Sequence, residues 1–147
     1  MLLISHRGNL NGSNPETENT IPQIEKALNL GFHVEIDLRY EAGGFWLGHD
    51  TAQHYIDWFL LKHIRGSERL WCHAKNVDAL RKLLDLGIHC FWHQNDYYTL
   101  TSNGIVWAYP NHYCKGAVLV MPSKDFVDNL KEPIYGLCVD NPLDYQK

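Results

Sequence analysis

Cysteine is sparse and scattered: four residues in 147, Cys72, Cys90, Cys114 and Cys138, with no CxxC pair to mark a zinc site or a redox motif. Three of them, Cys72, Cys90 and Cys138, sit inside apolar runs, so buried free thiols are expected rather than disulfides. Neither sign of charge dominates. The 13 Lys and Arg against 17 Asp and Glu leave a formal net charge of −4, which argues against a nucleic-acid-binding surface. No apolar run approaches the ~20 residues of a membrane-spanning helix. The opening residues MLLISHRG lack the charged start and long apolar stretch of a leader, and a cytoplasmic location is the expectation. Nor does a repeat, a low-complexity tract or a shift in composition divide the chain, so one domain is expected over residues 1–147.

The richest stretch runs from His33 to Asp50, HVEIDLRYEAGGFWLGHD. Val34, Ile36 and Leu38 alternate with Glu35, Asp37 and Arg39, and alternation at a period of two predicts a strand. Residues i and i+2 share a face, so Glu35 and Asp37 project together. Two carboxylates side by side repel unless a cation lies between them, and oxygen pairs of this kind suit hard divalent ions. The turn at Ala42-Gly43-Gly44 sends the chain back through Phe45, Trp46 and Leu47 to His49 and Asp50. The alternative for the acid pair alone is a half-exposed strand whose acidic face meets water.

Around this stretch, Leu2-Leu3-Ile4 predicts a short buried strand ending in Ser5-His6-Arg7-Gly8. A loop rich in Asn, Gly and Ser leads to a helix that Thr20 would cap, with Pro22 in its first turn, Ile24, Ala27 and Leu28 at helical spacing and Gly31 as its stop. Gln53 to Ile64 shows no clear period. Leu70–Lys75 predicts a strand, Val77, Leu80, Leu83 and Leu84 a helix stopped by Gly87, and Ile88–Trp92 a further strand. Beyond it, residues 97–100, 105–109, 117–121 and 135–139 are strand-like, with one short helix over 123–130. Strands alternating with helices in the first two-thirds imply parallel pairing through right-handed crossovers.

His6-Arg7-Gly8, then Glu18-Asn19-Thr20-Ile21-Pro22 opening a helix, then Glu35-Ile36-Asp37, then His49-Asp50 resemble the glycerophosphodiester phosphodiesterase family, and more broadly the phosphatidylinositol-phospholipase-C-like phosphodiesterases. Linked motifs in order are far more specific than any one of them. The resemblance is dense from Ile4 to Asp50, weaker over Leu70–Gly87 and absent beyond. It implies an α/β fold, a (β/α) barrel of the TIM type, here compact and depleted of helices, with its site at the carboxyl ends of the strands. It also implies metal-assisted phosphodiester hydrolysis, with His6 and His49 as the acid/base pair, Glu35 and Asp37 as metal ligands, and Arg7 and Lys75 as phosphate clamps. Glu18 falls on the family's acid after the first loop, where it would orient Arg7 or complete the metal shell. Two imidazoles on opposite sides of phosphorus suit this chemistry, since one proton must leave the nucleophile and another must reach the departing alkoxide.

Three departures qualify the resemblance. Where the family has a third acidic ligand before its Lys, this chain has His73, on the same strand face as Lys75. Imidazole is a poor ligand for Mg²⁺ or Ca²⁺ and a good one for Mn²⁺, Fe²⁺ or Zn²⁺. Three readings follow: the ion differs, or it stays a hard one (Mg²⁺ or Ca²⁺ being the expectation) held by the two carboxylates and water, or it is lost, with His73 only hydrogen-bonding the acids. Second, a full (β/α)8 barrel takes about 200 residues or more, so the later strands are expected to be joined by bare loops. Trp92, Tyr97, Tyr98, Trp107 and Tyr109 would cover the bared wall or form a contact, and a homodimer is expected. Third, few residues remain for specificity loops, which suits a small phosphodiester or one within a larger polymer; His93, Asp96 and Asp140 are further candidates at strand ends. The competing readings are a catalytically silent barrel that binds a phosphorylated ligand or a partner protein, and a lyase that releases a cyclic phosphate.

Overall fold

The computed structural model describes residues 1–63 and 66–146. Its centre is a ten-stranded curled sheet. Strand β1 (Leu2–His6) lies between β2 (His33–Glu41) and β10 (Gly136–Val139), parallel to both. On one side, β2 continues in parallel to β5 (Leu70–Ala74) and then to β6 (Cys90–Trp92). On the other, β10 continues in parallel to β9 (Val118–Val120) and β8 (Val106–Ala108), and β7 (Tyr98–Leu100) closes the series antiparallel to β8. The far end of β2 also carries an antiparallel excursion through β3 (Gly44–Leu47) to β4 (His54–Ile56).

The TIM-type barrel expected from the resemblance does not form: the sheet is a curled half-barrel, and its ladder ends at β6 and β7. Across that seam the described residues show isolated bonds and no ladder: Ser102 N–H to the Cys90 carbonyl at 2.8 Å, Cys90 N–H to Ser102 Oγ at 3.0 Å, and Thr99 Oγ1 to the Trp92 carbonyl at 2.8 Å. The cause lies in the chain between Trp92 and Ala117. It offers three-residue strands and turns but no apolar spacing that could form a crossover helix, so β7 and β8 meet as an antiparallel pair. The α-helices among the described residues are α1 (Ile21–Asn29), α2 (Trp58–His63), α3 (Val77–Asp85) and α4 (Lys124–Asp128), and the two longest, α1 and α3, form where the sequence carries a clear apolar spacing. The stretch from Gln53 contains β4 and α2, while Ile64 at its end lies outside the described residues.

Thr20 occupies the N-cap of α1, yet its hydroxyl donates to the Thr17 carbonyl and caps nothing. In α3 the work is done by Asn76, whose side chain accepts from the Ala79 amide at 2.9 Å. The apolar faces of these two helices (Ile24, Ala27, Leu28; Ala79, Leu83) bury the outer face of β2 at Val34, Ile36 and Leu38. At ~25 cal/mol per Å² such burial is the main force holding helices to sheet. The concave face is filled by Ile4, Trp71, Phe91, Trp107, Val118 and Cys138, each from a different strand. This plug sits beneath the carboxyl ends of β1, β2 and β5 and gives the site a dry floor. Trp107 thus belongs to the interior, 4% exposed, and not to the bared wall; Tyr97 and Tyr98 are exposed. No helix among the described residues is long and apolar enough to cross a membrane. Cys72, Cys90 and Cys138 are free and buried.

Candidate functional site

Sheet register assembles the site. His6 stands beside Glu35, Asp37 beside His73, and His73 beside Phe91. Since Glu35 and Asp37 differ by two along β2, all these side chains face inward over the apolar plug. The two acids do not meet water as a solvated strand face would: each is only 1% exposed. His6, Arg7, Glu35, Asp37, His49, His73 and Lys75 line one cavity of about 530 Å³. Glu18 stays behind the wall, accepting from Arg7 Nη1 at 2.9 Å and from Asn9 Nδ2 at 3.3 Å.

Each buried charge has defined neighbours. Arg7 Nε is 2.9 Å from Asp37 Oδ2, so this guanidinium is held between Asp37 and Glu18. Arg7 adopts φ +54° and Gly8 φ +82°, a left-handed pair that turns the chain sharply at the strand end. It also aims the Arg7 amide at Glu35 Oε2, 3.2 Å away. Asp37 is clasped by Asn19, which donates to Oδ2 at 2.9 Å and accepts the Asp37 amide at 3.0 Å. Its other oxygen, Oδ1, accepts no hydrogen bond among the described residues; it has His73 Nδ1 at 3.4 Å and Lys75 Nζ at 3.8 Å. Burial pushes the Glu35 carboxyl up, but His73 when protonated, with His6 and Arg7, outweighs it and holds the group below the usual carboxylate range.

His73 is fixed by two contacts. Its ring stacks on Phe91 with centroids 4.7 Å apart, and Nε2–H donates to the His93 carbonyl at 2.9 Å. A carbonyl only accepts, so Nε2 carries a proton, and Nδ1 faces the carboxylates, 3.5 Å from Glu35 Oε1 and 3.4 Å from Asp37 Oδ1. One ligand atom from each of Glu35, Asp37 and His73 falls in a group spanning no more than 4.8 Å. The orphaned, buried Asp37 Oδ1 facing that gap is what a cation would satisfy, so the donor set fits a divalent metal.

The two histidines are each backed by a carboxylate. His6 Nδ1–H donates to Asp140 Oδ1 at 2.8 Å, which leaves Nε2 toward the cavity, 3.9 Å from Glu35 Oε2. Burial lowers the proton affinity of His6, but Asp140 and Glu35 more than reverse this and raise its pKa above the ordinary value. His49 pairs with Asp50 at 2.7 Å and sits at the cavity mouth, its side chain 40% exposed. Arg39 anchors its loop by donating to the Asp50 carbonyl at 2.8 Å.

Asn9, Asn19 and Arg39 escaped the residue-level reading of the sequence, although Asn19 lies inside the Glu18–Pro22 string. Asp140, a lesser candidate from sequence, is the direct partner of His6. His93 is buried and offers its carbonyl to His73, and Asp96 offers only a backbone carbonyl to His93. The chain matches no protein-family model, no curated protein and no solved structure.

Proposed function

We propose that this protein is a metal-assisted phosphodiesterase of the glycerophosphodiesterase type. One observation carries the reading: a buried carboxylate pair with a neighbouring imidazole lies in the same cavity as two further histidines, each with a carboxylate on its Nδ1. Glu35, Asp37 and His73 would hold the ion, which when bound draws charge from a phosphoryl oxygen.

The chain's own groups account for the rest. Asp140 and Asp50 fix the tautomers of His6 and His49, so each presents Nε2 for proton transfer. A neutral imidazole takes the proton of the attacking water as its oxygen bonds to phosphorus. An imidazolium gives a proton to the alkoxide as the bond from phosphorus to the alcohol oxygen breaks. The raised pKa of His6 suits it to the donor role and leaves the acceptor role to His49. Lys75, at the cavity wall, supplies positive charge for the phosphate, while Arg7 serves first to neutralise Asp37. The exposed mouth at His49 admits a small glycerophosphodiester or a phosphodiester within a polymer.

The test is hydrolysis of bis(4-nitrophenyl) phosphate and of a glycerophosphodiester across a series of divalent ions. Chelation should abolish turnover, and His6→Ala and His49→Ala should each lower it by about 10²–10⁴-fold. Turnover that survives all three treatments defeats the mechanism, and a cyclic phosphate accumulating as the end product would assign the lyase instead.

A further inference from the structure

We infer that His73 makes the metal centre selective for a borderline transition ion of the Mn²⁺, Fe²⁺ and Zn²⁺ class over Mg²⁺ and Ca²⁺, by acting as a nitrogen ligand through Nδ1. The inference rests on the metal-assisted reading above and deepens it by naming the class of ion. An imidazole near two carboxylates can play either of two parts. As an imidazolium it replaces the metal and hydrogen-bonds the acids; as a neutral ring it turns a lone pair to the ion.

The geometry favours the second part. A charge-assisted N–H···O⁻ bond closes to about 2.7–2.9 Å. The His73 Nδ1 contacts stay at 3.5 and 3.4 Å, and Asp37 Oδ1 accepts no hydrogen bond among the described residues. Ligand atoms that share one ion sit about 3–3.5 Å apart, and Nδ1 keeps that spacing from both carboxylates. A half-turn of the ring keeps the stack on Phe91 but loses the Nε2–H bond to the His93 carbonyl, so that bond holds Nδ1 toward the acids. An outer hydrogen bond of this kind fixes tautomer and orientation in metal-bound histidines. Asp37, 1% exposed, turns its unbonded oxygen into the same gap. A set of two oxygens and one imidazole nitrogen departs from the all-oxygen shell that Mg²⁺ and Ca²⁺ prefer.

The experiment is calorimetric titration of the full chain, freed of metal, with Mn²⁺, Zn²⁺, Mg²⁺ and Ca²⁺, paired with pulsed electron paramagnetic resonance of the Mn²⁺-loaded protein. We expect one Mn²⁺ bound on the order of 100-fold more tightly than Mg²⁺. Nitrogen modulation should appear in the Mn²⁺ spectrum and change frequency when the protein is labelled with ¹⁵N-histidine. In His73→Asp the modulation should vanish and the preference for Mn²⁺ over Mg²⁺ should shrink by about tenfold or more. The labelling experiment needs no variant, so the inference stays falsifiable if His73→Asp fails to fold. Equal affinity for Mg²⁺ and Mn²⁺, or bound Mn²⁺ without nitrogen modulation, overturns the inference and leaves the phosphodiesterase reading standing. Binding of none of the four ions overturns both.

Discussion

His6 at the end of the first strand and Asp140 just past the last are joined by a 2.8 Å hydrogen bond, although 134 positions separate them. The parallel pairing of β1 with β10, in register from Leu2 with Gly136 to Ser5 with Val139, carries the two side chains to one rim. Asn9 Nδ2 donates to the same Asp140 oxygen at 2.9 Å and steadies it. Asp140 is thus a positioning residue acting through His6. Asp140→Asn keeps the shape and removes the charge. We expect kcat on an activated phosphodiester to fall by about 10²-fold with little change in KM. In the same variant the His6 imidazole should titrate at lower pH by NMR, because one of the groups that raise its pKa is gone. An unchanged His6 titration would show that the contact is only structural.

The central strand was legible because β2 is long enough for its period to show on both faces, one apolar against helices and one acidic toward the cavity. Glu35 and Asp37 were legible from alternation along β2, His6 and His49 from motifs that resemble a known family, and His73 as a departure from that family's acid on the face it shares with Lys75. The tertiary partners were not. Asp140 reaches His6 only through the β1–β10 ladder, and no local pattern encodes that pairing. Strands β6 to β9 have three residues each, too few for a period to reveal which side faces in, so the sequence groups Trp107 with the aromatics expected to cover the wall or form a contact, whereas it lies in the interior. The TIM-type expectation failed for a related reason. Motifs near Ile4–Asp50 describe one rim of a sheet and say nothing of how the other half is wound.

Gly48 sets the approach of His49 to the cavity. Its φ is +146°, and a Cβ there would lie 2.0 Å from the Thr51 carbonyl oxygen. Gly48→Ala must move the loop, since the obstacle is backbone. We expect a loss of about 1–3 kcal/mol in stability by urea denaturation, together with a larger fall in turnover than in metal affinity. A variant with native stability and turnover would show that the loop adapts freely and that the placement of His49 is not fixed by this turn.

His89 gives the fold a pH dependence of its own. It packs on Trp71 with centroids 4.4 Å apart, and its Nε2 is buried without a hydrogen-bond partner among the described residues. Burial, with His33 nearby, lowers its pKa from 6.5 to about 4. The unfolded chain therefore binds the extra proton first. Its contribution to stability is complete above about pH 6.5 and is lost as pH falls toward 4. A shift of this size corresponds to ~3 kcal/mol, but the ring is partly solvated and about 1–2 kcal/mol is the expected effect. His89→Phe keeps an aromatic ring on Trp71 and removes the titration. Denaturation midpoints at pH 7 and pH 4.5 should converge in the variant relative to the native chain; an unchanged difference would place the acid sensitivity in the carboxylates alone.

Asn19 holds Asp37 from the side opposite the cavity. It is 1% exposed, its φ is +54°, and it makes both a donated and an accepted hydrogen bond to the same residue. Two costs follow from Asn19→Ala. The Asp37 amide is left buried without an acceptor, at about 1–3 kcal/mol. A left-handed conformation is then imposed on alanine, at about 1–2 kcal/mol, where asparagine tolerates it through its short polar side chain. Asn19→Gly isolates the first cost, because glycine accepts positive φ freely. The expected order of stability in urea is therefore native, then Asn19→Gly, then Asn19→Ala, with about 1 kcal/mol or more between the two variants. Both variants should also bind Mn²⁺ more weakly, since Asp37 loses the clasp that aims its free oxygen into the gap beside His73. Equal stability of the two variants would show that backbone conformation is not strained at this position. Native metal affinity in both would show that Asp37 is held by its strand and by Arg7 alone.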